Sequence, residues 1–164
     1  MATLPQLLED ADVEWLRYPA ALLAIGVALI HLMHPTLGGP RLILHVQVGT
    51  IFDPRPLLFT LAGFLIMFGI VLASQGVLER AIYAGGVVLM LALILGYGAW
   101  HTILDHGAFW PHIHGHGHTE VGGLELIWLH LREDGIAMVS KLFEVGLLGV
   151  LVVLYLGTST DEDQ

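Results

Sequence analysis

The sequence predicts an all-α integral membrane protein, a four-transmembrane-helix bundle with an interfacial segment between spans three and four. Three observations predict it. The 164-residue chain is 55% hydrophobic and 13% charged, against roughly 25% charged residues in a soluble domain. Its apolar residues gather into four blocks, each close to the ~20 residues that a helix needs to cross a bilayer. Ten histidines lie at or between the ends of those blocks, and four alternating spans bring all of them to one face.

Residues 1–18 read as an acidic N-terminal extension carrying Glu9, Asp10, Asp12 and Glu14. No basic start, short apolar core and small-residue cleavage site mark a secretory signal, so the first span is expected to be retained. Trp15, Arg17 and Tyr18 form an interfacial anchor. Pro19 suits a first helical turn, where its missing N–H costs least, and the first span runs over Pro19–Met33. Pro35 and the Gly38-Gly39-Pro40 run break it.

The connection Arg41–Pro56 alternates Leu42, Leu44, Val46 and Val48 with Ile43, His45, Gln47 and Gly49. That period is strand-like, but one short strand in lipid leaves its backbone unpaired. The expectation is an interfacial loop or helix packed over the bundle mouth. Asp53-Pro54-Arg55-Pro56 ends it and starts span two, Leu57–Ala73. The turn Ser74-Gln75-Gly76 is short enough to make spans two and three antiparallel neighbours, and span three covers Ala81–His101.

Loop 102–134 is the longest connection. It holds Phe109-Trp110-Pro111 and the alternating tract His112, His114, His116 and His118, and it closes on a predicted interfacial helix within Glu120–Asp134. Leu124, Ile127, Trp128 and Leu131 recur there at roughly helical spacing. Span four is Ile136–Leu156, completing a membrane domain over 19–156, and 157–164 is an acidic tail.

The residue inventory excludes several functions. The absence of cysteine rules out disulfides, thiolate ligands and covalent c-type haem attachment. A formal charge of -9 opposes nucleic-acid binding. There is no Gly-rich phosphate loop, no HExxH motif and no GxSxG elbow.

What remains is histidine chemistry at one face. His31 and His34 share a helix face at the end of span one. His101 and Asp105 are four apart at the end of span three, with Asp105 a direct ligand or an acceptor for the second ring proton of His101. His106 points elsewhere if that helix continues, and a helix end there would change its geometry. Glu144 lies about two turns into span four, with Lys141 one turn before it. A carboxylate at that depth must face the bundle or a polar cavity, as an ion pair with Lys141, a metal ligand or a proton relay.

The expected metal set is therefore His31, His34, His101, Asp105 and Glu144, joined by His112, His114, His116, His118 and His130 as a recruiting tract and mouth. His45 stays outside the first set. Imidazole and carboxylate suit zinc, copper or iron. Haem b is the other cofactor expectation, with His31 or His34 and His101 as axial ligands.

The leading functional expectation is a membrane metal- or haem-binding protein, an electron-transfer component or a subunit of a redox complex, with quinone as a candidate acceptor. The alternatives are divalent-metal handling or transport, and a non-catalytic assembly subunit. A non-haem metal oxidoreductase is the enzymatic version. Expected partners are the lipid bilayer, redox-complex subunits or further copies of the chain. The expected location is the cell membrane. Arg41, Arg55, Arg132 and Lys141 outnumber Arg17 and Arg80 and favour a cytoplasmic histidine side. A retained first span behind a soluble acidic leader needs no N-terminal translocation and favours an outward one, which is the orientation adopted here.

Overall fold

The computed structural model describes residues 14–49, 53–107 and 122–161. All of their regular structure is helical: α1 (Arg17–Met33), α2 (Gly39–Gln47), α3 (Arg55–Ser74), α4 (Glu79–His101), α5 (Gly123–Glu133) and α6 (Gly135–Asp161). Four of these helices are long and apolar enough to cross a membrane: α1 together with the turn before it (Glu14–Met33), α3, α4 and the Gly135–Thr158 part of α6. Each of these helices starts one or two residues before the expected span. α6 also continues through Asp161, into the segment read as a tail.

α1 buries Ala20, Ala24, Val27, Ala28 and His31 on one stripe and turns Leu22 and Leu29 outward. The small residues of that stripe let α1 sit between α3 and α6. At Gly63 of α3, a Cβ would lie 2.6 Å from the Leu32 side chain, so glycine sets the α1–α3 approach. α4 packs along α6, and its contact with α3 is thinner.

Between these helices, at the end away from the histidines, a largely apolar cleft of about 880 Å³ is lined by Ala24, Ile66, Gly69, Gly86, Met90 and Leu151, among others. That end is tied by Arg17, whose guanidinium donates to both carboxylate oxygens of Glu79 at 3.2 and 2.7 Å. Arg80 lies over the Tyr155 ring at 5.5 Å.

The other end carries the short elements. Gly38 lets the chain fold back on the end of α1, because a Cβ there would meet the His31 carbonyl at 2.6 Å. Pro40 then sits in the first turn of α2, the position where proline is tolerated. The strand-like alternation of this stretch resolves as a helix. Its nine residues bury His45 and leave Ile43, Leu44 and Val46 exposed, with the helix lying on α3 and the end of α1.

Asp53 starts α3 by accepting the Arg55 N–H at 2.9 Å and the Arg55 side chain through both carboxylate oxygens. Arg55 also covers the Trp100 ring at 4.7 Å, tying the start of α3 to the end of α4. Asp134 caps α6, its Oδ1 accepting the N–H groups of Ile136 and Ala137 at 3.0 Å each, the usual role of an N-cap carboxylate.

Candidate metal centre

α4 ends at His101, and the chain does not leave the site. The Leu104 N–H donates back to the Ala99 carbonyl at 2.9 Å and the Gly107 N–H to Leu104 at 2.8 Å. Asp105, His106 and Gly107 then take φ values of 40°, 57° and 84°. Three consecutive left-handed residues reverse the chain and swing His106 back over the end of α4. Its Nε2 lies 3.0 Å from Nδ1 of His101.

α5 supplies the third imidazole. Nε2 of His130 is 3.0 Å from the same Nε2 of His106, and one ligand atom from each of the three residues lies within 4.8 Å of the other two. Among the described residues this is the one group of three such donors that meets this closely. The His130 ring is oriented from behind by Nδ1, 2.9 Å from the Leu126 carbonyl one turn earlier. A carbonyl only accepts, so Nδ1 carries the proton and neutral His130 offers its lone pair at Nε2. Metal-binding histidines are held in this way by a carbonyl or carboxylate on the second ring nitrogen. Asp105 Oδ1 lies 3.8 Å from Nδ1 of His106, and the Tyr97 ring packs on His101 at 4.4 Å between centroids.

Two nitrogens each about 2.0–2.1 Å from one zinc ion stand roughly 3.3 Å apart at the tetrahedral angle, so the 3.0 Å spacings are a few tenths of an ångström short of a zinc set and match N–H···N hydrogen bonds. All three rings are half-buried.

The other expected ligands go elsewhere. His31 is 1% exposed, stacks on Phe59 at 4.7 Å and has Nδ1 2.9 Å from the Val27 carbonyl. Glu144 is fully buried. It accepts the Ser140 hydroxyl at 2.8 Å on Oε1 and the Lys141 ammonium at 2.5 Å on Oε2. Nε2 of His31 stands 3.9 Å from Oε1. Lys141 also donates to the Leu93 carbonyl at 3.3 Å and lies 5.1 Å from the Tyr97 ring centre.

His34 finishes α1, its Nδ1 accepting the N–H groups of Thr36 and Leu37 at 3.3 and 3.2 Å. Burial lowers its pKa, opposed in part by the Asp134 carboxylate. Thus His31, His34 and Glu144 lie outside the three-histidine group, and Asp105 lies beside it, 3.8 Å from His106. His112, His114, His116 and His118 lie outside the described residues.

The residue missing from the sequence-based set is His106. The Asp-His-Gly run after a helix end was its only signal, since glycine favours the left-handed backbone that a reversal needs. No protein-family model, curated protein or solved structure matches the chain.

Proposed function

We propose that this is a membrane-embedded metal-binding protein that holds one transition-metal ion through His101, His106 and His130 at the histidine-bearing end. The observation that carries this reading is the position of His106 Nε2, 3.0 Å from a ring nitrogen of each of the other two histidines. Neutral imidazoles facing at that distance either share protons or share a cation. A three-imidazole set with no thiolate suits zinc, copper or iron.

The packing of the rings favours an ion over haem. Their centroids are 4.2, 4.8 and 4.9 Å apart, edge and face against one another, and a macrocycle between two axial imidazoles needs the rings held apart on its two faces. His31, the other axial candidate, points its Nε2 toward Glu144. A copper or iron centre would serve electron transfer, and a zinc centre metal handling, so the identity of the ion divides the two uses.

The test is metal analysis and an optical spectrum, oxidised and reduced, on gently purified protein in lipid. One ion per chain is expected, with no Soret band. His106→Ala and His130→Ala should each weaken binding by at least tenfold while His34→Ala leaves it unchanged. Stoichiometric haem, or full metal retention in both variants, overturns the assignment.

A further inference from the structure

Apart from the three-histidine group, one set of buried polar atoms has an unfinished hydrogen-bond account. Glu144 is 0% exposed and His31 1%, at positions where α6 and α1 pack together. Both oxygens of Glu144 are engaged, Oε1 by Ser140 and Oε2 by Lys141. The Lys141 ammonium is further held by the Leu93 carbonyl and the Tyr97 ring, the surroundings of a charged amine. Nε2 of His31 has no hydrogen-bond partner among the described residues.

The tautomer of that ring is fixed. Nδ1 must carry a proton to bond the Val27 carbonyl, so neutral His31 aims a bare lone pair at Nε2. The nearest charged atom is an acceptor, Oε1 of Glu144, at 3.9 Å. Two acceptors facing each other in a buried site repel, and a buried polar atom without a partner is costly to maintain. One proton placed at Nε2 turns the repulsion into an imidazolium–carboxylate contact.

We propose that His31 and Glu144 form a proton-binding site, its ligand a single proton taken up at Nε2 of His31 and held against Oε1 of Glu144. Uptake makes one N–H bond from the Nε2 lone pair and breaks none in the imidazole. Ser140 and Lys141 engage one oxygen of Glu144 each, so the unpartnered nitrogen of the ring is the atom left to take the proton. Lys141 is the member that reaches the surface, with 16% of its side chain exposed. It passes a proton to Oε2, rotation of the carboxyl carries it to His31, and Lys141 regains one from solvent. Lysine and glutamate return to their starting states, and the net change is one solvent proton on His31.

The groups facing His31 are Glu144 and Lys141 on α6 and His34 just past the end of its own helix. α3 contributes the Phe59 ring, and α4 meets the network through Leu93 and Tyr97 against Lys141. The site does not depend on the proposed metal centre.

The experiment is nitrogen NMR of the full chain in lipid nanodiscs, with ¹⁵N in the histidine rings, titrated from pH 8 to pH 4. A bare Nε2 signal that vanishes in His31→Gln should convert to a protonated one within that range. Glu144→Gln should lower the proton affinity of His31 at least tenfold. Ser140→Ala should raise it, because Oε1 loses a competing donor, and this milder change decides the matter if Glu144→Gln does not fold. A His31 Nε2 that stays bare to pH 4, one already protonated at pH 8, or a midpoint that does not move up in Ser140→Ala overturns the proposal.

Discussion

Left-handed backbone at a residue with a Cβ costs about 1–2 kcal/mol, and Asp105 and His106 both adopt it. The surrounding contacts hold them there, and Gly107 is the hinge that makes the reversal sterically open. Its φ is 84°, and a Cβ at this position would run into the Trp100 ring, which Arg55 covers. Gly107→Ala is therefore expected to destabilise the protein by more than the about 1 kcal/mol lower limit for a strained residue, and to release His106. Thermal unfolding measures the first effect and metal stoichiometry the second.

His34 belongs to the same scale. Its folded pKa is lowered, chiefly by burial, and its Nδ1 must stay unprotonated to accept two backbone N–H groups. The unfolded chain therefore binds more protons at this site. Its contribution is fully present above the unfolded value of about 6.5 and is lost as pH falls through the lower folded pKa. His34→Asn should flatten the loss of unfolding free energy between pH 7 and pH 5. An unchanged slope would remove this residue from the account. None of this was legible from His31 and His34 as a pair three apart on a helix. That spacing gives a shared face, whereas the helix ends at Met33 and His34 turns back onto the backbone beyond it.

Among the elements, the four long helices were readable because hydropathy alone decides them once about 20 apolar residues run together. α2 was harder. Its nine residues satisfy both a period of two and a helical face, and only packing on α3 and α1 separates them. The close approach of α4 and α6 rests on one of two adjacent glycines. A Cβ at Gly86 would stand 2.8 Å from Leu151, whereas nothing lies within 4 Å at Gly85. Gly86→Leu should cost about 1–3 kcal/mol by overpacking. Gly85→Ala should be neutral or stabilising, since alanine is the better helix former by about 1 kcal/mol. Denaturation in mixed detergent compares the two directly, and equal effects would refute the assigned helix contact.

At the scale of the whole molecule, alternation of four spans was enough to send His31, His34, His101, His130 and Glu144 toward one end. It did not reveal the partners. Glu144 was expected as an ion pair with Lys141, a metal ligand or a proton relay, and the structure shows the ion pair, with Ser140 on the second oxygen, because α6 itself supplies both donors within four residues. His106 depends on a loop reversal that no periodicity records.

Orientation is tested on the same scale, and the lack of cysteine in the native sequence makes single replacements clean. Gly122→Cys beside α5 should react with a membrane-impermeant maleimide added to intact cells, and Gln75→Cys in the α3–α4 turn should react only after lysis. The reverse pattern would place the histidines inside the cell.

The end-to-end asymmetry has a thermodynamic consequence. The proposed ligands all sit at one end of the four helices, and the far half holds the apolar cleft and the Arg17–Glu79 pair, with no comparable cluster of ligating groups among the described residues. An ion held there equilibrates with a single reservoir. On the proposed assignment, occupancy follows the free-ion activity on the histidine side alone, so the loaded fraction is set by one compartment rather than by a gradient.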